Sequence, residues 1–333
     1  MLTVKKKSNL TKIILVGCGN IGSRHLESLM KFQDKISIDI VEPNKKSKNN
    51  AIEMIKKLYI KKSPKINWFT SIQDLPNSGD VVIVATNSIG RHKFIDILLK
   101  QGNKKFILEK MVCQSKNEYK LLINSFKKYD AKAWVNTNRS YFTFYQKIKN
   151  IFANSKSIQL SVYLGNSGLG TSSIHYIDLF CWLTDNYNIQ LNGKYLSDKI
   201  FSSKRGKSFK EFSGVIIGSN KKNSYLSISS QNNQSIPPSA IVEIYDGQKH
   251  IVINELEEKF SFLTNYEKIP KLIFKFSHVS EITYKIICDI LTSDSCLLPP
   301  VENSFKIHSE LFRIFNDHLY KHLNQKIEKC PIT

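Results

Sequence analysis

Three glycines at positions 17, 19 and 22, inside the stretch KIILVGCGNIGSRH (residues 12–25), have the spacing of a turn that takes a dinucleotide. Gly17 would permit the tight turn, Gly19 would let the backbone approach a pyrophosphate, and Gly22 would allow a helix to pack closely on the preceding strand. A helix opening here, with Asn20 and Ile21 in its first turn, offers N–H groups and partial positive charge to phosphates. Glu42 lies twenty residues beyond Gly22 at the end of the next apolar run. It is placed to accept hydrogen bonds from the adenosine ribose hydroxyls, and its charge would repel a 2′-phosphate. NAD is therefore expected over NADP. The same stretch can also be read as a lipoprotein signal, with a basic start and LVGC before a cysteine. Such a signal needs an apolar region of about 7–15 residues, whereas the uninterrupted apolar run spans only residues 13–16.

The surrounding pattern supplies the elements that would hold this turn. KIILVG (12–17), ISIDIVEP (36–43), NWFT, DVVIVAT (80–86), KKFILEK and AKAWVNT read as strands. Helical spacing follows the glycines and recurs over residues 44–57, 91–100 and 117–128. Strands alternating with helices of this length predict a parallel, doubly wound sheet over residues 1–137. The pattern changes beyond that. SIQLSVYLG, GVIIGS, SYLSISS, AIVEIYDG and HIVINEL are strand candidates, YDGQKH is a hairpin turn, and helices are expected over 171–183, 284–291 and 304–323. A second α+β domain over residues 138–333, with a mostly antiparallel open sheet, is predicted. Its last helix is expected to pack back towards the first domain.

These motifs together resemble the Gfo/Idh/MocA oxidoreductases, which act mainly on sugars and polyols. GCGNIGSRHLESL is similar to that family's opening turn and helix, and VIVATNSIGRHKFIDILLKQGNKKFILEK to its fourth strand, next helix and the strand ending Glu-Lys-Pro. VNTNRSYF resembles the segment leaving the dinucleotide domain, SSIHYIDLFCWL the helix bearing the catalytic histidine, and LLPPVENSFKIH the late Leu-Pro segment. The resemblance implies a Rossmann domain, NAD, and an open sheet that joins subunits into a homodimer or tetramer. It places Thr86, Asn87 and His92 beside the cofactor, Glu109 and Lys110 on the family's acid and lysine, and His175 on its catalytic histidine. Two departures stand out. Met111 replaces the proline after the lysine, and Thr171 replaces an aspartate four residues before the histidine. Some branches near surface-glycan genes share the second departure, which implies a modified sugar as substrate.

Oxidising a secondary alcohol requires the C–H over the nicotinamide, a group to take the hydroxyl proton, and stabilisation of the alkoxide. Lys110, at the end of a parallel strand, is expected to donate to the substrate oxygen. His175 titrates near neutrality and suits proton transfer. Thr171 cannot titrate but can hydrogen-bond a hydroxyl. Thr171, His175, Asp178 and Trp182 share one helix face; Asp178 either orients His175 or packs, and Trp182 is expected in the core. Arg139 and Tyr163 are candidate substrate contacts. His92, a candidate cofactor contact, is alternatively expected to pack at the start of its helix.

The remaining composition narrows the class. The chain has 333 residues, 41% of them hydrophobic, and a formal net charge of +21. The charge is mostly lysine, in scattered pairs such as Lys45-Lys46, Lys61-Lys62, Lys104-Lys105 and Lys221-Lys222. No nucleic-acid motif accompanies it, so a solvated surface, or attraction to a phosphorylated or nucleotide-linked sugar, is expected. No apolar run is long enough for membrane insertion. The cysteines, at 18, 113, 181, 288, 296 and 330, lack metal spacing and fit free thiols of a cytoplasmic protein. The expectation is an NAD-dependent sugar oxidoreductase without a metal. The alternatives are a redox-neutral epimerase or glycoside-cleaving enzyme using the same residues, and a non-catalytic NAD-binding regulator.

Overall fold

The computed structural model describes residues 10–333 except 59–61, 221–222, 234, 265–271 and 325–326. Lys61, Lys221 and Lys222 of the paired lysines fall outside the described residues. In chain order the elements are β1 (Thr11–Val16), α1 (Asn20–Leu29), β2 (Ile36–Val41), α2 (Lys45–Lys56), β3 (Lys65–Phe69), β4 (Val81–Val84), α3 (Arg91–Lys100), β5 (Lys105–Leu108), α4 (Lys116–Lys128) and β6 (Lys132–Val135). They continue with α5 (Thr143–Ile151), β7 (Gln159–Gly165), α6 (Leu169–Leu183), β8 (Ile189–Leu196), β9 (Phe201–Ser203) and β10 (Gly206–Glu211). The last are β11 (Gly214–Asn220), β12 (Tyr225–Ser230), β13 (Pro238–Tyr245), β14 (His250–Asn254), β15 (Lys259–Phe262), α7 (Val279–Ser293) and α8 (Val301–Leu323). Two compact units result. One comprises Met1–Cys113, Asn117–Asn136 and Ser277–Val301; the other comprises Gln114–Lys116, Thr137–Phe276 and Glu302–Thr333.

In the first unit six parallel strands lie in the order β3-β2-β1-β4-β5-β6. The order reverses between β1 and β4, where ligands bind in doubly wound sheets. Val81, Val82, Ile83 and Val84 are wholly buried, as an all-apolar strand covered on both faces must be. Asn44 is the N-cap of α2, accepting the Ser47 N–H at 3.0 Å. From late in the chain, α7 packs on α1. Ser28 Oγ accepts the Tyr284 N–H at 2.9 Å, and the Phe32 and Tyr284 rings lie 4.3 Å apart.

In the second unit seven strands run β15-β14-β13-β7-β12-β11-β8, antiparallel except for β7 with β12. YDGQKH forms the expected hairpin, pairing Tyr245 with His250. Leu160, Val162 and Leu164 are buried on one face of β7. α6 starts at Leu169 rather than at the expected residue 171, because Gly168 is its N-cap. α7 begins at Val279 rather than residue 284, where Glu281 reaches back to accept the His278 N–H at 3.1 Å. α5, β8, β9, β10 and β15 were not expected from sequence. Among the described residues the short β9 and β10 form a separate two-stranded sheet.

Candidate functional site

The glycine turn leaves β1 at the reversal of strand order. Gly17 N–H donates to Val41 O at 2.9 Å, and Ala85 N–H donates to Val16 O at 2.8 Å, so the turn is held from β2 and β4. Gly17 has φ +87°, a region that side chains disfavour. A Cβ on Gly22 would lie 2.1 Å from the carbonyl oxygen of Gly17, so only glycine lets α1 sit this close to the turn. A Cβ on Gly19 would meet nothing within 4 Å. The fold itself therefore leaves open space there, as a backbone approached by a pyrophosphate would need. Gly19 gives α1 no side-chain cap, and helix geometry leaves the amides of its first turn, at Asn20 and Ile21, without intrahelical acceptors. These features fit a dinucleotide.

Glu42 is buried at the end of β2. Its carboxylate accepts the Cys18 N–H at 2.6 Å and the Asn44 N–H at 2.9 Å. The chain thus fixes the acid beside the glycine turn, while a carboxylate's remaining lone pairs can accept ribose hydroxyls. Burial, and secondarily Glu42, push the Cys18 thiol up to about 12, so it is an inert filler in this turn.

The second cluster of this unit lies at the end of β5. Glu109 and Lys110 are both buried. Glu109 accepts Asn136 Nδ2–H at 2.5 Å and lies 3.1 Å from His25 Nε2, whose Nδ1 is 2.8 Å from Thr283 Oγ1. Burial opposes the charge on Glu109, but the hydrogen bonds to His25 and Asn136, and nearby Lys110, outweigh it and hold the carboxyl below its usual range. The Lys110–Met111 peptide is cis. Arg91, 1% exposed, donates to the carbonyls of Thr86, Glu109 and Met111, the last at 2.7 Å. One guanidinium thus ties the segment after β4 to both sides of Lys110. Thr86 donates to Asn87 O at 3.2 Å, and Asn87 Oδ1 accepts the Ile89 N–H at 3.1 Å. His92 Nδ1 lies 3.9 Å from Glu118 Oε1.

In the second unit α6 carries Thr171, His175 and Asp178. His175 is half-buried, with Nδ1 3.3 Å from Thr137 O. Asp178 does not bond His175 directly, which corrects one of its two expected roles. It accepts Thr137 Oγ1–H at 2.6 Å and Tyr187 OH at 3.2 Å. Thr137 therefore links the two residues, its hydroxyl bound to Asp178 and its carbonyl facing the histidine. Burial, only partly offset by these hydrogen bonds, raises the Asp178 carboxyl from 3.8 to about 6. Thr171 donates its hydroxyl to Glu211 of β10, and its N–H to the other carboxylate oxygen at 3.3 Å.

Two further expectations, those for Arg139 and Trp182, are corrected. Arg139 is not presented to a ligand. It is buried, donates to both oxygens of Glu255 at 3.0 and 2.7 Å, and lies 4.0 Å over the Tyr176 ring. Tyr145 and Tyr176 donate to the same carboxylate, so the arginine satisfies a buried acid. Tyr163 is half-buried and lies on the face of β7 opposite buried Leu160, Val162 and Leu164. Trp182 is half-buried rather than core, with Lys149 Nζ 4.6 Å over its ring. His25, Arg91 and Glu211 were not singled out from sequence. Glu109 lies 84 residues from His25, Met111 20 from Arg91 and Thr171 40 from Glu211, separations that no local spacing marks. Among the described residues no group of three or more His, Cys, Asp or Glu is placed to hold a metal ion. No helix among them is long and apolar enough to cross a membrane. The six cysteines are free thiols.

Residues 11–137 match the Gfo/Idh/MocA family, described as an oxidoreductase family with an NAD-binding Rossmann fold. No curated protein matches the chain in sequence. Among solved structures it is similar to the WlbA dehydrogenase from Bordetella pertussis in complex with NADH and UDP-GlcNAcA, with TM-score 0.68, 14% identity, and coverage of 97% of this chain and 98% of that one. It is also similar to the UDP-N-acetylglucosamine 3-dehydrogenase GnnA from Acidithiobacillus ferrooxidans, with TM-score 0.68, 10% identity and coverage of 91% and 96%. GenD2 from gentamicin A biosynthesis, in complex with NAD, gives TM-score 0.68, 12% identity and coverage of 98% and 99%. At these identities the likeness establishes the shared fold.

Proposed function

We propose, from the premise that residues 11–137 are the NAD-binding Rossmann domain of a Gfo/Idh/MocA oxidoreductase, that this protein exchanges a hydride between a sugar derivative's carbinol carbon and NAD. The observation that carries the reading is the glycine turn with Glu42 locked beside it, in the same unit as a buried lysine at a strand's carboxyl end. Residues 1–137 would bind the dinucleotide and 138–333 the sugar, in the cytoplasm. Bound NAD would supply the hydride acceptor. Gly17, Gly19, Asn20, Ile21 and Gly22 would take its phosphates and Glu42 its ribose, against NADP. Thr86, Asn87 and His92 would flank it, and Glu109 would hold the segment that presents Lys110.

Lys110 would hydrogen-bond the substrate oxygen and stabilise its developing charge. His175 would take the hydroxyl proton at one imidazole nitrogen, its Nδ1 side steered by the Thr137 carbonyl. Thr171 would position a sugar hydroxyl. Half-exposed Tyr195, Ile217 and Tyr225 on β8, β11 and β12 support subunit association through the open sheet. The test is NADH formation with free, phosphorylated and nucleotide-linked sugars. Turnover with one of them, lost in Lys110→Ala and His175→Ala, is the expected result. Conversion of a sugar without net NADH would place the protein with the redox-neutral enzymes instead. Tight NAD binding with no conversion of any sugar would mark a regulator.

A further inference from the structure

His25 is wholly buried in the first unit, and the chemistry proposed above gives it no task. It stands three residues after Gly22 on the buried face of α1, so the helix that opens at the glycine turn also carries this imidazole inward. Packing alone would be served by an apolar side chain, because a buried imidazole is costly unless its nitrogens are bonded. Here both nitrogens are engaged. Nδ1 lies 2.8 Å from Thr283 Oγ1, which α7 brings back from late in the chain. Nε2 lies 3.1 Å from Glu109 Oε1. An ionised carboxylate only accepts, so Nε2 carries the proton of this bond. The same oxygen accepts Asn136 Nδ2–H at 2.5 Å, from the residue after β6. Groups from α1, α7 and the end of β6 thus converge, directly or through one another, on a single carboxylate beside Lys110.

The charge on Glu109 depends on these neighbours. Its carboxylate faces His25 of α1 and Lys110 next along the chain, while Arg91 bonds its main-chain carbonyl. Burial works against the charge, and among the groups that offset burial His25 contributes most. Without the imidazole the carboxyl would take up a proton. Lys110 would then lose the negative neighbour that favours its ammonium form. That is the form that can donate to a substrate oxygen and stabilise developing negative charge. We infer that His25 is a positioning residue for Lys110: braced by Thr283, it holds Glu109 as a fixed carboxylate beside the lysine. One helix, α1, thereby joins the dinucleotide turn at its start to the proton chemistry at the end of β5. The inference rests on the oxidoreductase reading above and adds a residue to its machinery.

Two substitutions separate the bond to Glu109 from the burial of a polar group. The amide of His25→Gln reaches about as far as Nε2 and keeps a donor for Glu109. That of His25→Asn reaches only about as far as Nδ1, so it keeps a partner for Thr283 and withdraws the donor. Infrared spectra at neutral pH with NAD present, taken as differences from the unmodified protein, report the carboxyl directly. His25→Asn should gain the carbonyl band of a protonated carboxylic acid. The band should vanish when Glu109→Gln is added, and His25→Gln should not show it. With the sugar that reduces NAD, the kcat of His25→Asn should fall about tenfold or more while KM changes little. His25→Gln should restore most of that rate. The inference is overturned if His25→Asn gains no acid band, or if its kcat equals that of the unmodified protein. It is overturned equally if His25→Gln behaves as His25→Asn does. Should the unmodified protein reduce NAD with none of the sugars, the functional reading fails, and the infrared comparison still decides whether His25 holds Glu109 as a carboxylate.

Discussion

Replacing Asp178 by asparagine should change the pH dependence of stability by a predictable amount. The carboxyl is 1% exposed, and burial raises it from 3.8 to about 6 despite hydrogen bonds from Thr137 and Tyr187 and the nearby Arg139. Between those two values the folded protein holds a proton that the unfolded chain has released. The residue's contribution to stability is therefore full below about pH 4 and is lost as pH rises through about 6. Its amplitude is about 3 kcal/mol. Asparagine keeps the shape and cannot ionise, so the variant lacks this loss. Its amide must re-pair with two hydroxyls, at a pH-independent cost of about 1 kcal/mol. Urea unfolding of both proteins at several values from pH 4 to pH 8 isolates the titration, because other groups cancel in the difference. The difference should move in the variant's favour by about 3 kcal/mol across that range. A difference flat to within about 0.5 kcal/mol, or one moving the other way, would refute a buried, proton-holding Asp178.

Three other substitutions probe the first unit. Gly22→Ala puts a methyl against the Gly17 carbonyl and should cost about 3 kcal/mol in denaturant unfolding, together with loss of NAD binding by calorimetry. Arg91→Met leaves the carbonyls of Thr86, Glu109 and Met111 without their shared donor and should destabilise by about 3–5 kcal/mol. Any protein that remains folded should show a lower kcat, because Lys110 loses its anchors on both sides. Glu42→Ala should shift the NAD-to-NADP preference by about tenfold or more, equivalent to about 1.4 kcal/mol. It should also lower stability by about 1–3 kcal/mol, since the Cys18 and Asn44 amides lose their acceptor.

Where the chemistry was readable in the sequence, it was local. The glycine turn declares itself within six residues, because tight turning and close packing are demands on neighbours along the chain. The continuous apolar run of β4 likewise announces burial on both faces. What escaped was set by distant partners. Arg139 has the look of a ligand-binding cation until Glu255, 116 residues on, meets it in the core. Asp178 shares a helix face with His175, yet its bond goes to Thr137. β10 ends in an acid and carries three lysines or serines in six residues, so it lacks the apolar alternation that betrays a strand, and Glu211 passed unnoticed with it. Thr171 could be seen to lack charge; that a carboxylate from another element stands against it could not.

The most direct test follows the hydride itself. The protein is incubated with NAD and, in turn, with free, phosphorylated and nucleotide-linked sugars deuterated at every ring carbon, and the dinucleotide is analysed by mass spectrometry. The proposed oxidoreductase requires one deuterium on the reduced nicotinamide, absent with Lys110→Ala. A nicotinamide that binds tightly and acquires no deuterium from any of the sugars would contradict it.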